Sequence, residues 1–233
     1  MVNQSEQFLV SVIMAIYNPI WEKCLFTLES VIAQKNIDFE LIVTDDGSVD
    51  NLFCKFEDYF KSNGFINYKL INHNENQGTV KNYYDGLKKS SGKYVKFISP
   101  GDALFCECTL ESWINDLQTC GRKWSFAEAV FYQSVNGERR ILSEPALPRV
   151  IDCYSNGDDS VCRWNYVVLE DVALGAALIC EKELLLKYMD KVVGISIYAE
   201  DVVYAAMMCD NILPFYCTRP VVCYEVGTGV SSR

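Results

Sequence analysis

Three acidic sites stand where a carboxylate could do more than meet solvent: Asp45-Asp46, Asp102 and Glu200-Asp201. Asp46 follows the apolar run FELIVT, and Asp102 follows YVKFIS and a Pro-Gly turn, so both sit just past the end of a buried strand. A buried carboxylate there can accept a hydrogen bond from a ligand N–H, and a ligand lacking that donor would leave a desolvated charge unpaired. One carboxylate can also hold a hard cation that takes its remaining oxygens from phosphate and water. Glu200-Asp201 opens the helical pattern EDVVYAAMM, where an acid can take the proton of a hydroxyl as that hydroxyl attacks. Each site has a structural alternative. Asp-Asp-Gly-Ser can form a turn through its own backbone, Asp102 can cap a turn, and acids in a first helical turn suit the macrodipole.

The elements that must position these groups alternate through the first hundred residues. FLVSVIMAIY, FELIVTDDGS, INYKLINH and KYVKFIS read as strands, short and rich in β-branched and aromatic residues. Between them lie three helical patterns, with Trp21, Cys24, Leu28 and Val31 on one face of the first and Phe53, Phe56 and Phe60 on one face of the second. Asn18-Pro19 offers the first helix a cap followed by a proline. The third, GTVKNYYDGLKKSSG, is stopped by Gly92. Strands alternating with helices predict a mainly parallel, doubly wound sheet, whose ligands sit outside the carboxyl ends of the strands. Residues 15–18, 44–48 and 99–102 form that edge. Beyond it, TLESWINDLQ reads as a helix capped by Thr109, SFAEAVFYQSV and RRILSE as a hairpin around NGE, and residues 144–165 as a long loop. Two further helices, EKELLLKYMDKV and EDVVYAAMMCD, precede a terminal strand.

The totals exclude several functions. Half of the 233 residues are hydrophobic and 13% aromatic, enough for a globular core. A net charge of −10 speaks against a nucleic-acid surface or an anchor on anionic lipid. It leaves anionic small molecules open, because a bound divalent cation reverses the local sign. The eleven cysteines contain no CxxC, and Cys106-Glu107-Cys108 is poor spacing for zinc. Cys24, Cys180, Cys209 and Cys223 lie in apolar runs as small hydrophobes, so the thiols are expected reduced, as in a cytoplasmic protein. No signal peptide is expected, and no apolar run approaches the ~18 residues of a membrane span. Without repeats or linkers, residues 1–233 read as a single domain, which the ending GVSSR allows to be a module of a longer protein.

VSVIMAIYNP, FELIVTDDGSVD, NENQGTVKN, GKYVKFISPGDAL and YAEDVVYAAMM resemble, in order, the motifs of family-2 glycosyltransferases of the GT-A fold. The resemblance is strong over about residues 8–112 and weaker over about 172–233. It implies a Rossmann-like, mainly parallel sheet flanked by helices, with a nucleotide-sugar half over about 1–112 and a smaller, irregular acceptor half over about 113–233. It implies that Ala15 and Tyr17 line the uridine pocket and that Asp46 accepts the uracil N–H. Asn76, Gly78 and Lys81 fall where the family contacts uridine and diphosphate, and Gly101 is counted among the donor-binding positions. Asp102 matches the metal-binding acid, for Mn2+ or Mg2+, although Ser99-Pro100-Gly101 stands where many members carry another acid. Asp201 matches the general base and Glu200 its support. Thr228 and Ser231 resemble diphosphate contacts on a closing segment.

The function implied is inverting, metal-dependent transfer of a sugar from a UDP-sugar to a hydroxyl acceptor. The acceptor classes are a growing glycan, a lipid-linked saccharide or a glycoprotein, with bacterial surface glycans the commonest destination. Location is expected in the cytoplasm, including the inner face of the membrane, and the hydrophobic fraction permits a homodimer. A non-catalytic nucleotide-sugar-binding or interaction module is the alternative. A sugar-nucleotide pyrophosphorylase fits less well, because AIYNPIWEKC lacks the Gly-rich, Arg-Lys-bearing loop that class carries after its first strand.

Overall fold

The computed structural model describes residues 8–143, 147–155, 158–195 and 199–227, with the side chains of 199 and 200 also outside the description. Its first half follows the sequence pattern closely. β1 (Phe8–Ile16), α1 (Trp21–Ile32), β2 (Phe39–Asp45), α2 (Phe53–Ser62), β3 (Tyr68–Asn72), α3 (Thr79–Lys89) and β4 (Gly92–Ile98) run in succession. The four strands pair in parallel in the order β3-β2-β1-β4. Side chains alternate across a strand, so β1 serves two cores. Val10, Val12, Met14 and Ile16 meet α1 and α2, whereas Ile13 meets Val80 and Leu87 of α3 on the other face.

The second half extends the same sheet with mixed pairing. β5 (Ala103–Leu104), β6 (Trp124–Val135), β7 (Glu138–Ile141), β8 (Leu178–Glu181) and β9 (Phe215–Glu225) bring the sheet to nine strands among the described residues, in the order β3-β2-β1-β4-β8-β6-β9-β5 with β7 on the edge of β6. Thus the parallel, Rossmann-like part is the first half, and β8, β5 and β7 pair antiparallel. α4 (Thr109–Cys120) packs on the face of α1 through Leu110, Trp113, Ile114 and Leu117. α7 (Lys182–Val192) and α8 (Ala199–Cys209) pack on the opposite face, beside α3.

Three local expectations are corrected. Asn18 does not cap α1, which starts at Trp21. Thr109 lies inside α4, its hydroxyl accepting the N–H of Cys106 at 2.9 Å. Residues 144–165 are not one loop: they include short helices α5 (Asp152–Ser155) and α6 (Asp159–Arg163), followed by a π-helical turn, Trp164–Val168. The apolar spacing of Cys153, Cys162 and Tyr166, all buried in the second core, was the signal for those turns. All eleven cysteines are free, and Cys209, expected in the core, is exposed.

Candidate functional site

β1 and β2 end in the same row of the sheet, with Ala15 opposite Thr44 and Ile16 opposite Asp45. Their following loops therefore leave side by side, and polar contacts join them. Asn18, with φ of 44°, donates its N–H to Ser48 Oγ at 2.7 Å and accepts the N–H of Val49 on Oδ1 at 2.9 Å. Asp45 orders the turn itself, accepting the Ser48 N–H at 2.9 Å and the Asn51 amide at 3.0 Å. Tyr17 is 51% exposed at the mouth of this edge, where an aromatic face is available to a planar ligand.

Asp46 is the fastening point. Its carboxylate is 3% exposed and accepts the N–H of Gln77 at 2.8 Å and of Gly78 at 3.0 Å, one on each oxygen. The two chains come so close that a Cβ on Gly47 would lie 2.7 Å from the Glu75 backbone, at a φ of +74°, so glycine is required there. Asn76 Oδ1 also accepts from Gly78 N–H, at 3.0 Å. The Gly78 N–H is thus committed to two side chains. Lys81 is engaged within its own helix. Its ammonium pairs with Asp85 one turn along α3 and lies over the Tyr84 ring. The His73 side chain is 12% exposed, with Nε2 3.8 Å from Asp85.

Beneath this edge lies a residue that sequence reasoning undervalued. Asn82 donates to the carbonyls of Ile16 and Thr44, stitching the ends of β1 and β2 to α3. Its Oδ1 and the hydroxyl of Thr44 are buried without a hydrogen-bond partner among the described residues. The signal was an asparagine among the buried positions of an amphipathic helix, where a polar side chain needs partners.

Asp102 follows β4, which lies beside β1, with Met14 opposite Ile98. The turn before it is bolted to α1. Gly101 N–H donates to the Lys23 carbonyl and the Thr27 hydroxyl, and Thr27 Oγ1 donates to the Asp102 carbonyl at 2.7 Å. The Asp102 side chain points inward: it is 4% exposed, Oδ1 accepts the Glu225 N–H at 3.2 Å, and burial pushes its carboxyl up to about 7. Lys96, wholly buried, lies near enough for its charge to act on Asp102, and burial pushes its ammonium down. Lys96 Nζ is held by the carbonyls of Phe97 and Ala176. Glu225 pairs with Lys23 at 2.6 Å.

These residues do not form a seat for Mn2+ or Mg2+, which the sequence led us to expect at Asp102. A hard cation needs several oxygens facing one space. Here one carboxylate is turned into the protein, the neighbouring acid is engaged by a lysine, and among the described residues no three of His, Cys, Asp and Glu gather as a cation-binding group.

Asp201 lies in the first turn of α8, where burial raises its carboxyl above the usual carboxylate range. α8 meets the strand layer through Val203, Tyr204 and Met207, which share a core with Ile13, Ile42 and Val80. The described contacts bring Ala15, Tyr17, Asp46, Asn76 and Gly78 together, set Gly101 and Asp102 on the neighbouring strand, and leave Asp201 on a separate element. The side chain of Glu200, and Thr228 and Ser231 altogether, lie outside the described residues. Asp158 is the N-cap of α6, accepting from Ser160 and Val161. Trp164 is 64% exposed on the π-helical turn.

The sequence profile of the family described as Glycosyl transferase family 2 matches residues 11–157. An uncharacterized glycosyltransferase of Rickettsia bellii is 36% identical over 116 residues, covering 44% of this chain and 15% of that protein. The Bacillus subtilis uncharacterized glycosyltransferase EpsJ is 32% identical over 148 residues, 60% of this chain and 41% of EpsJ. The Staphylococcus aureus poly(ribitol-phosphate) beta-N-acetylglucosaminyltransferase TarP is 34% identical over 121 residues, 49% of this chain and 33% of TarP. The chain thus spans less than half the length of these curated relatives. Among solved structures, S. aureus TarS 1-349 in complex with UDP has a TM-score of 0.65 at 18% identity, covering 94% of this chain and 60% of that one. The mannosyltransferase PcManGT from Pyrobaculum calidifontis, in complex with GDP-Man and Mn2+, has a TM-score of 0.61 at 16% identity, covering 93% and 56%. At these identities the likeness is one of fold.

Proposed function

Because this chain belongs to glycosyltransferase family 2, we propose that it moves a sugar from a UDP-sugar to a hydroxyl of a glycan acceptor, inverting the anomeric centre. Its curled sheet flanked by helices is of the GT-A type. The observation that carries the reading is the loop assembly around Asp46. One buried carboxylate ties the strand end of β2 to the loop before α3, beside the exposed ring of Tyr17. That leaves a preformed, partly aromatic edge at the carboxyl ends of parallel strands, the position where such sheets bind nucleotides.

In the proposed reaction the uridine lies against Tyr17 and the backbone of Ala15, within reach of the Asp46 edge. Asp201 takes the acceptor proton as the acceptor oxygen attacks the anomeric carbon, because an alcohol is too weak an acid to ionise beforehand. Burial suits Asp201 to this task by raising its affinity for the proton. No step here passes through Mn2+ or Mg2+, since the residues around Asp102 do not form a site for them. Uridine as the base is supported by the TarS complexes with UDP and with UDP-GlcNAc. A polymer as acceptor is supported by the poly(ribitol-phosphate) in the name of TarP. Residues 1–233 are read as one unit, with donor and acceptor halves sharing one sheet. Among the described residues no helix is long and apolar enough to cross a membrane.

The test is to titrate the protein with UDP-Glc, UDP-Gal, UDP-GlcNAc, UDP-GalNAc and GDP-Man while following thermal stability, then to assay UDP release. A ligand selective for the folded state raises the melting temperature. One UDP-sugar should stand out, and Asp201→Asn should keep the shift and lose the release. Binding of UDP without turnover on any acceptor would replace the enzyme with a nucleotide-sugar-binding module. Indifference to every nucleotide would end the proposal.

A further inference from the structure

Asp102 is one of four charged groups in a single cluster. Its carboxylate accepts the backbone N–H of Glu225, the last residue of β9. The Glu225 side chain turns back over Gly101, and a Cβ on Gly101 would lie 2.5 Å from Glu225 Oε2. That oxygen therefore fills the space a side chain at 101 would take. Lys23, in the first turn of α1, pairs with the same Oε2 at 2.6 Å. Lys96 stands behind Asp102, held by two carbonyls. Two acids are thus matched by two lysines inside a largely water-free cluster, where leaving either sign in excess would be costly. A divalent ion could reach both carboxylates only by displacing Lys23, and would then leave the cluster with a net charge of about +1 in place of neutrality.

Lys23 is the member that reaches solvent, with 27% of its side chain exposed. It also lies on the ligand edge, since its carbonyl accepts the Gly101 N–H at the turn after β4. An ammonium has three donors, so Lys23 can hold Glu225 with one and a phosphate oxygen with another.

We propose that sugar transfer by this chain needs no divalent cation, and that Lys23 Nζ supplies the positive charge met by the leaving diphosphate. The proposal rests on the transferase reading above. As the acceptor oxygen bonds to the anomeric carbon, the bond from that carbon to the diphosphate oxygen breaks. The electron pair stays on the diphosphate, the acceptor proton passes to Asp201, and the new negative charge faces the fixed ammonium. Preorganised charge of this kind acts without reorganisation at the moment of reaction.

The experiment compares UDP release from UDP-GlcNAc, or from whichever UDP-sugar binds, by wild type, Lys23→Met, Lys23→Arg and the double variant Lys23→Met/Glu225→Gln. Each is measured with excess chelator and with millimolar Mn2+. Wild type should turn over equally in both. Lys23→Met should lose tenfold or more in kcat, as expected for a lost charge-assisted contact, and Lys23→Arg should recover part of it. The double variant removes both members of the ion pair, so it should fold normally and stay slow. Melting curves add a readout independent of turnover: Mn2+ without nucleotide should leave wild type unmoved. Wild-type turnover lost in chelator and restored by Mn2+ would overturn the proposal. So would a Mn2+ shift in wild type, or a double variant as fast as wild type. If wild type binds no UDP and releases none under any condition, the transferase reading itself falls, and this proposal with it.

Discussion

Replacing Asp46 with asparagine separates two roles that the same carboxylate could play. In the structure both oxygens are occupied by backbone donors, Gln77 N–H at 2.8 Å and Gly78 N–H at 3.0 Å, and the carboxylate itself is buried. Asparagine keeps the shape but only one acceptor. Its amide nitrogen must face one of those N–H groups, so one charge-assisted bond is lost; turned toward Gly78, it leaves that N–H with Asn76 Oδ1 as its remaining acceptor. The other bond falls from charge-assisted to neutral. With about 1.5–3 kcal/mol for a bond to a charged group and about 1 kcal/mol for a neutral one, the expected loss is about 2–5 kcal/mol. For a chain of this size each kcal/mol moves the melting temperature by about 2–4 °C, so Asp46→Asn should melt roughly 4–20 °C lower.

Urea unfolding of the two proteins, read by near-UV circular dichroism, checks the stability term, and calorimetric titration with UDP checks the site. Stability and UDP affinity should fall together, because nucleotide binds the form in which the loop before α3 is fastened. An Asp46→Asn protein as stable as wild type but blind to UDP would refute this reasoning. It would mean that the carboxylate is spent on the base and that the loop holds without it.

The other expectations are shorter. Gly101→Ala places a Cβ 2.5 Å from Glu225 Oε2 at a φ of +101°, so it should cost about 2–4 kcal/mol in urea unfolding, and adding Glu225→Ala should return part of that. Asp201 must be ionised to act as a base, and burial raises its carboxyl, so UDP release should climb with pH through a midpoint above the ordinary carboxylate range and then level off. The same raised affinity for the proton means that Asp201 contributes stability at low pH which is lost as pH rises through that midpoint. A rate that is flat across the acid range would count against it. The Thr109 hydroxyl lowers the thiol of Cys106, which is exposed beside Cys108, whereas burial raises Cys180. Brief alkylation with iodoacetamide at neutral pH should mark Cys106 ahead of Cys180 in peptide mass spectra, and the reverse order would contradict the assignment.

The first hundred residues were legible because strands and helices alternate strictly there, and β1, β2 and β4 are largely buried apolar runs. The continuous apolar run in VSVIMAI and the helical period in WEKCLFTLESVI distinguish strand from helix clearly. The second half resisted for the opposite reason. β8 inserts between β4 and β6, and β9 between β6 and β5, so pairings across long stretches of chain decide the order. Short helices such as DCYS and DSVCR hold too few apolar positions for their period to show. Sequence also placed the polar loops on the correct edge, but not how they are spent. Asp46 looked like a free acceptor because its donors, Gln77 and Gly78, come from a loop beyond the next helix and strand.

Asp102 shows most clearly what a linear reading can and cannot reach. Lys96 was a legible warning. In KYVKFI it alternates with Tyr94 and Ile98, which lie in the core under α1, so its ammonium had to be buried. A buried ammonium is tolerated only with acceptors and a counter-charge at hand. The nearest acid that could turn toward it is Asp102, which made an inward carboxylate more economical than one reserved for a cation. The second acid could not be foreseen, because it arrives 123 residues later in the chain. Once β5 and β9 pair with Ala103 opposite Cys223 and Leu104 opposite Val222, the antiparallel register carried two residues outward sets 225 against 101. A glycine at 101 and a glutamate at 225 are then complementary: the missing side chain makes the room that the carboxylate fills. The lone acid at the end of β4 is therefore one member of a neutral cluster, and its chemistry belongs to Lys23, Lys96 and Glu225 as much as to itself.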